Sequence, residues 1–257
     1  MNAKLSRRGA LGAGGLVGLS ALIASCSSDK GQASGSVTTT TSVPVSGGGS
    51  ATVSPQTSSV SPELFDGTAS CSLTPQETEG PYYFDVDSIR SDIREDRQGT
   101  PLRLAMRVLD ASCAPIANAV VDIWHCDAGG VYSGFESDSR GGPGGGGRTD
   151  DETYLRGAQV TNAEGIVVFQ TVYPGWYRGR TVHIHFKVHL DKRTLLTSQL
   201  FFDETITTAV YTKAPYATHT NRDAFNNTDA IFDQSLIMTL RPEADGYLGI
   251  MSVNVTK

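Results

Sequence analysis

Between residues 67 and 257 the chain alternates between short runs of β-forming residues and turn signals. Runs suited to strands cover residues 102–108, 119–126, 155–161, 166–171, 181–190, 195–202, 237–240 and 247–255. Turn residues recur roughly every 8–12 residues, and no long stretch has apolar residues at helical spacing. The pattern predicts an all-β fold, a β-sandwich of two antiparallel or mixed sheets with long loops.

The residues between the runs indicate which strands pair. Asn162–Gly165 has the composition of a tight turn, so residues 155–171 predict a β-hairpin. Residues 181–202 predict a second strand pair, and residues 225–232 a helical turn. The glycine-rich segment at 141–147 predicts a loop.

The first 66 residues differ in composition from the rest. Residues 1–26 predict an export signal, in which Arg7 and Arg8 resemble a twin-arginine signal and Cys26 fits a lipoprotein processing site. The apolar run between them is too short for a comfortable membrane span. An ordinary secretory signal, with Cys26 incidental, is the alternative. The expected location is exported: a cell-surface or periplasmic lipoprotein with a lipid on Cys26, or a protein released from the cell.

Residues 27–66 are rich in Ser, Thr and Gly and predict a flexible tether. The remaining residues, 67–257, are long enough for one well-buried core, so they predict a single catalytic or binding domain. The net charge of −6 argues against a nucleic-acid partner.

Three cysteines lie beyond the predicted tether, at Cys71, Cys113 and Cys126. An exported domain could hold one disulfide bond. Cys113 and Cys126 are separated by a predicted strand that would hold them far apart. We therefore expect Cys71 to pair with one of the other two, and the sequence does not decide which.

Two histidines, His183 and His185, lie one residue apart on the predicted strand 181–190. Side chains alternate along a strand, so both imidazoles lie on one face, and the apolar residues between and after them face a core. The two imidazoles are about 6–7 Å apart along the strand, close enough for one metal ion to bind both. The alternative is two polar residues on a solvated sheet face.

The surrounding motifs are more specific than this pair. In order they are TPQETEGPYY at 74–83, VDIWHCD at 121–127, GVYS at 130–133, RG at 156–157, PGWY at 174–177, RTVHIHF at 180–186 and TSQLFF at 197–202. With these motifs, residues 71–257 resemble the intradiol ring-cleavage dioxygenases, the catechol, protocatechuate and hydroxyquinol dioxygenases, and in particular their exported single-domain branch.

The resemblance implies a non-haem Fe(III) site with four protein ligands, Tyr132, Tyr177, His183 and His185. Two phenolates are hard anionic donors that favour ferric iron, and a bound trivalent cation ionises them as it binds. The alternative for both tyrosines is that they are ordinary half-buried aromatic residues at turns.

The resemblance also implies catalytic and pocket residues. Tyr177 is the ligand that an incoming substrate displaces, and Arg180 stabilises negative charge on the substrate ring. Gln199 is a polar pocket residue, and Gly80, Pro81 and Tyr82 line the pocket mouth. The alternatives are a surface ion pair for Arg180 and local bonding within the strand for Gln199.

The function implied is an enzyme that cleaves catechol-type diols with O2 between the two hydroxylated carbons, giving cis,cis-muconate-type dicarboxylates. One alternative is a transthyretin-like β-sandwich that binds or carries a ligand and has a vestigial metal site. Another is a zinc hydrolase on the same strand, although no carboxylate base has the matching spacing.

The chain departs from many family members in three ways. The stretch between Tyr177 and His183 is short, so the pocket is expected to be more open or differently shaped. Dimerisation through a long N-terminal helical region is not expected, and the oligomeric state stays open. His125 stands where Gln is more usual, either supporting a metal ligand or as a polar core residue.

Overall fold

The computed structural model of the chain describes residues 41–44, 50–53, 60–68, 71–139 and 147–257. The predicted export signal, most of the predicted tether and most of the loop at 141–147 lie outside the described residues. Within these residues, no helix has the length and apolar character needed to span a bilayer.

Within the part of the chain that the structure describes, ten strands and two short α-helices make up the regular structure. The strands are β1 (Thr41–Pro44), β2 (Ser50–Val53), β3 (Pro101–Asp110), β4 (Val120–Trp124), β5 (Arg156–Val160), β6 (Ile166–Val172), β7 (His183–Leu190), β8 (Arg193–Phe201), β9 (Thr239–Pro242) and β10 (Tyr247–Val255). The helices are α1 (Glu136–Ser139) and α2 (Glu204–Tyr211), and short 3-10 turns cover Pro62–Phe65, Tyr216–Thr218 and Gln234–Leu236.

Eight of the strands form two four-stranded sheets. The first sheet has the order β6-β3-β10-β9, with β3 and β10 parallel and the other pairs antiparallel. The second has the order β5-β4-β7-β8 and is antiparallel throughout. The two remaining described strands, β1 and β2, pair with each other. The predicted all-β sandwich is thereby confirmed, with one mixed and one antiparallel sheet.

One apolar core includes residues of both sheets. Leu104 and Met106 on β3 belong to the same buried cluster as Ile184 and Phe186 on β7. Complete burial of one such side chain contributes about 1.5–3 kcal/mol relative to exposure. Because the apolar residues of β7 are directed into this core, its histidines lie on the outer face of the second sheet.

The hairpin predicted for residues 155–171 is wrong. β5 pairs with β4 and β6 pairs with β3, so the two strands lie in different sheets. The predicted turn does form, closed by the N–H of Gly165 donating to the carbonyl of Asn162. It carries the chain from one sheet to the other, and alternation alone does not distinguish such a corner from a hairpin. The pair predicted at 181–202 is confirmed as β7 and β8.

The predicted helical turn at residues 225–232 is present at its start, where the N–H groups of Thr228 and Asp229 both donate to the carbonyl of Phe225. The longest helix among the described residues is α2, which the sequence analysis did not predict. Asp203 caps α2 by accepting hydrogen bonds from the N–H groups of Thr205 and Ile206. The helix is rich in β-branched residues, which weakens its sequence signal.

Residues before 67 also pack onto the domain. The buried side chains of Val60 and Phe65 contact the outer face of the first sheet, in one cluster with Ala105 and Ile250. The predicted boundary between tether and domain, at residue 66, therefore falls inside a packed segment. Cys71 forms a disulfide bond with Cys113, and Cys126 is free and buried.

Candidate metal centre

The strand β7 carries His183 and His185 on a face that is covered rather than solvated. The covering segment begins at the edge strand β8, where the N–H of Glu77 donates to the carbonyl of Thr197, and ends at the edge strand β5, where the N–H of Arg90 donates to the carbonyl of Ala158. It therefore crosses the whole outer face of the second sheet. His183 and His185 are 2% and 1% exposed beneath it, which excludes the solvated-face alternative.

Two turns bring the predicted tyrosine ligands to the same place. The turn before Tyr132 is closed by Asp127, whose Oδ1 accepts the N–H groups of Gly129 and Val131. Gly130 has φ +82°, and a Cβ there would lie 2.1 Å from the carbonyl oxygen of Trp176. Only glycine therefore allows the turn that carries Tyr132 to approach the turn that carries Tyr177.

The donor atoms of the four predicted ligands converge around one nitrogen. Nε2 of His183 lies 3.0 Å from Nε2 of His185, 3.2 Å from the hydroxyl oxygen of Tyr177 and 3.5 Å from that of Tyr132. Tyr132 is fully buried and Tyr177 is partly exposed. The structure thus brings all four residues together, although their sequence positions span more than fifty residues.

The protonation of these groups suits a cation. Nδ1 of His183 lies 2.6 Å from the carbonyl oxygen of Thr181, so Nδ1 carries the proton and Nε2 presents a lone pair. Burial lowers the pKa of His183 to about 3, with help from the charge of Arg180, and burial likewise lowers the pKa of His185. Both imidazoles are therefore neutral at pH 7. Burial raises the pKa of both phenols, so they ionise only with a cation beside them.

The donor set fits a ferric ion. Two neutral imidazoles and two potential phenolates supply up to two negative charges, and phenolate oxygen favours a hard, highly charged metal. The described residues contain no cluster of three or more His, Cys, Asp or Glu, the usual protein ligands of zinc. Tyr132, Tyr177, His183 and His185 are the residues that would hold iron.

Arg180 is held beside this centre by two partners. Its Nε donates to Oδ2 of Asp229 at 2.9 Å, and an Nη donates to Oε1 of Gln199 at 2.6 Å. Gln199 faces His185 across β7 and β8, and its Nε2 donates to the carbonyl of Thr78. Gln199 therefore does not bond only within its own strand, and Arg180 is not a surface ion pair, since its partner Asp229 has a side chain only 1% exposed.

The predicted mouth residues lie in the covering segment. Gly80 has φ +73°, and a Cβ there would lie 3.2 Å from Cε1 of His185. The ring of Tyr82 is buried, with its centroid 4.7 Å from the ring of Tyr132 and 6.1 Å from that of Tyr177. Pro81, between them, is exposed. The backbone of this segment thus lies directly over the predicted ligands.

Other residues of the site were not identified from the sequence. The indole of Trp124 stacks on His185 with ring centroids 4.9 Å apart, from the neighbouring position on β4. Arg156 is buried and donates to Ser133, beside Tyr132. Asp229 lies in a loop whose partners are distant in sequence, so no local pattern marks it; Trp124 could have been found from its alternation on β4.

Neither ring nitrogen of His125 bonds one of the four predicted ligands. One ring nitrogen bonds the carbonyl of Cys126 and the other bonds the hydroxyl of Thr171, both at less than 3 Å. Burial lowers the pKa of His125 to about 4. Of the two interpretations given above, the geometry supports a polar core residue.

Comparison with known proteins agrees with this arrangement. The sequence profile of the family described as Dioxygenase matches residues 78–221. An intradiol ring-cleavage dioxygenase from Tetranychus urticae is 36% identical, with a TM-score of 0.68, over 72% of this chain and 95% of that one. The dioxygenase domain of a carbohydrate-binding fusion protein from Streptomyces sp. SirexAA-E is 30% identical, with a TM-score of 0.55, over 72% and 99%.

Curated relatives carry related names. Catechol 1,2-dioxygenase 1 from Acinetobacter lwoffii is 30% identical over 49% of this chain and 45% of its own length. Chlorocatechol 1,2-dioxygenase from Rhodococcus opacus is 28% identical over 43% and 47%. The chain thus spans about half the length of these relatives. Because the family profile covers more than half of the chain and includes all four converging residues, the chain belongs to the intradiol ring-cleavage dioxygenases.

Proposed function

We propose that this protein is a non-haem Fe(III) dioxygenase that cleaves catechol-type aromatic diols with O2 between the two hydroxylated carbons. The product is a cis,cis-muconate-type dicarboxylate, which retains both atoms of O2, so the reaction needs no other reductant. The observation that carries the proposal is the convergence of two phenol oxygens and Nε2 of His185 within 3.5 Å of Nε2 of His183.

The metal and the protein have separate roles in this proposal. Ferric iron held by the four side chains supplies the Lewis-acid and redox chemistry that makes a catecholate ring reactive toward O2. Trp124, stacked on His185, and the carbonyl of Thr181, which accepts from His183, hold the imidazoles in one orientation.

The two tyrosines differ in how substrate can reach them. Tyr132 is fully buried, whereas Tyr177 is partly exposed, so an incoming diol reaches the phenol of Tyr177 first. Tyr177 can therefore take up a substrate proton at its hydroxyl oxygen while Tyr132 remains in place. Arg180 carries a fixed positive charge beside His183, where it can stabilise negative charge on the ring.

The proposal is tested with the purified, iron-loaded protein. We expect a burgundy colour from phenolate-to-ferric charge transfer, oxygen uptake with catechol, and a dicarboxylate product identified by mass spectrometry. A colourless protein after iron loading would favour the transthyretin-like binding module. Bound zinc with hydrolytic activity and no oxygen uptake would favour the hydrolase.

We also propose that the protein is exported and anchored by a lipid on Cys26. The sequence of residues 1–26 supports this, as does the Cys71–Cys113 bond, since disulfides persist in oxidising compartments. Full-length protein should fractionate with membranes and Cys26→Ser should be released. An Arg7→Lys, Arg8→Lys variant should accumulate unprocessed. Equal fractionation of all three proteins would contradict the proposal.

A further inference from the structure

We infer that Asp229 is a positioning residue for the proposed ring cleavage, because one buried carboxylate binds both the Arg180 guanidinium and the N–H of Thr181, the residue whose carbonyl orients His183. The inference rests on the proposed function. It assigns a role to a residue outside the stretch that the family profile matches, residues 78–221.

The geometry gives the carboxylate three donors. Oδ2 of Asp229 accepts from Nε of Arg180 at 2.9 Å and from the N–H of Thr181 at 2.8 Å, and Oδ1 accepts from the N–H of Ile231 at 2.9 Å. The third bond fixes the carboxylate to its own loop. Through the first two bonds, Oδ2 accepts from two consecutive residues, so a rotation of the carboxylate would displace both donors.

The two residues it holds act on different parts of the site. The carbonyl of Thr181 accepts from Nδ1 of His183, which leaves Nε2 free to bind metal. Arg180 is directed by Asp229 at Nε and by Gln199 at an Nη. Its remaining N–H groups are thereby given one orientation relative to the substrate side of the centre. A flexible arginine in the same place would lose this orientation.

A second set of contacts holds Thr181 from its side chain. The hydroxyl of Thr181 bonds Asn226 and accepts from Arg222, and Arg222 is paired with Glu204 at the start of α2. The loop that carries Asp229 is therefore tied to α2 as well as to Arg180. This makes Asp229 part of a preorganised frame rather than an isolated surface carboxylate.

The charge state of the carboxylate agrees with this role. Burial alone would raise the pKa of Asp229, but the N–H groups of Ile231 and Thr181 and the charge of Arg180 together hold it below its ordinary value. Asp229 is therefore ionised at neutral pH. Removing one partner of such a buried, hydrogen-bonded pair leaves the other charge without compensation.

Asp229→Ala tests the inference, with Asp223→Asn as a control in the same loop. Asp223 lies in the same loop as Asp229 and also accepts a backbone N–H, that of Gly179. It lies near Arg178, but the side chains of Asp223 and Arg178 are both exposed. For iron-loaded Asp229→Ala we expect kcat/KM for catechol to fall on the order of 10²-fold, as for a misplaced reacting group. Iron content should stay near that of the unmodified protein, and Asp223→Asn should change kcat/KM by less than about threefold.

A double-mutant cycle separates positioning from general stability. If Asp229 acts mainly through Arg180, then Asp229→Ala added to Arg180→Gln should cost much less than it does alone. Additive losses in kcat/KM would overturn the inference. Where Asp229→Ala does not fold, Asp229→Asn decides: its single amide oxygen cannot serve all three donors, so kcat/KM should fall below that of Asp223→Asn. Equal values would overturn it.

Anaerobic binding of 4-nitrocatechol, followed by its visible absorption, gives a readout that does not depend on turnover. Weaker binding in Asp229→Ala than in Asp223→Asn supports the positioning role even if the unmodified protein consumes no O2, an outcome that would defeat the proposed function alone. Normal turnover and binding in Asp229→Ala would defeat the positioning role alone. An unmodified protein that neither binds nor turns over a catechol would defeat both.

Discussion

Tyr132 and Tyr177 differ in burial although both are predicted iron ligands. Tyr132 lies among Tyr82, Phe135 and Trp124 and is inaccessible to solvent, whereas Tyr177 lies at the edge of that cluster. A ligand in a dry cluster has few competitors for the metal, while one at the edge can exchange with an incoming oxygen donor. The two phenols should therefore respond differently to the loss of their hydroxyl groups.

We expect Tyr132→Phe to lose most of its iron, because it removes an anionic donor that no water can replace in the buried cluster. Tyr177→Phe should retain iron but show a shifted visible band and slower turnover. Metal analysis and absorption spectroscopy of both purified variants check this. His183→Ala is the reference for loss of the metal. Full colour in Tyr132→Phe, or an unchanged band in Tyr177→Phe, would contradict the assignment.

Gly80 offers a second test at the scale of one residue. Its positive φ penalises any side chain, by about 1–2 kcal/mol, and a Cβ there would press on Cε1 of His185. Gly67 has a similar φ of +80° with no atom within 4 Å of a Cβ. Gly80→Ala and Gly67→Ala should therefore lose similar stability in urea unfolding, but only Gly80→Ala should change the visible spectrum. Identical visible spectra for the two variants would show that the His185 ring moves aside without changing the metal centre.

Among the elements, the pairing of β4 with β7 supports the covering segment over the centre. Lys187, two residues after His185, pairs with Glu79 and lies 3.5 Å from the centre of the Tyr83 ring. Asp122 faces Lys187 across the two strands and is buried. Polar groups beneath the segment thus hold it on the sheet, next to the glycine that contacts His185.

Asp122 gives this region a pH dependence. Burial raises its pKa from 3.8 to about 7, so between these values the folded state keeps a proton that the unfolded state releases. The proton retained by Asp122 stabilises the folded state fully below pH 4. This contribution to the free energy of unfolding falls as the pH rises from 4 through 7, by about 4 kcal/mol in all. The buried histidines have the opposite dependence, since their lowered pKa values destabilise the fold as the pH falls.

Asp122→Asn isolates this contribution, because the histidines are common to both proteins and cancel in the difference. The free energy of unfolding of the variant minus that of the unmodified protein should be flat below pH 4 and rise between pH 4 and 7. Urea titrations at five pH values measure it. A difference that is constant with pH would contradict the raised pKa of Asp122.

For the whole molecule, the Cys71–Cys113 bond connects the chain just before the covering segment to the loop after β3. It spans a sequence separation of 42 residues. Closing a loop of this length restricts the unfolded chain by about 4 kcal/mol in the loop-entropy description. Cys71→Ser with Cys113→Ser should lower the free energy of unfolding by about that amount, measured in urea.

Cys126→Ser is the control, since Cys126 is free and donates only to the carbonyl of Gly175. Its effect should not depend on a reductant. The unmodified protein should lose stability when reduced, and the double serine variant should not. Equal unfolding midpoints for oxidised and reduced protein would contradict the stabilising role of the bond.

The sequence was informative where its signal is local. Alternating residues in β7, β8 and β10 predicted strands whose ends the structure reproduces within two residues. The four converging side chains were identified only with the help of ordered motifs, since nothing in a single strand predicts that Tyr132 lies beside His183. The pairing of Cys71 with Cys113 agrees with the expectation that Cys113 and Cys126 do not pair.

Strand pairing, burial of the histidine face and contacts between distant loops could not be predicted from local sequence patterns. Whether the chain at Asn162–Gly165 returns along the same sheet or crosses to the other depends on which strands β5 and β6 meet later. The burial of the histidine face depends on a segment almost one hundred residues earlier. Asp229 reaches Arg180 from a loop without regular structure, and its role follows from geometry alone.

The parallel pairing of β3 with β10 has a consequence for how the chain is made. β10 fills the middle of its sheet, between β3 and β9, yet it is synthesised about 140 residues after β3. At 5–20 residues per second the ribosome needs on the order of 10 s for that stretch. Until then one edge of β3 has no partner, and nascent chains are open to chaperones and to one another. Expression at lower temperature or with a trigger-factor-type chaperone should therefore raise the soluble yield.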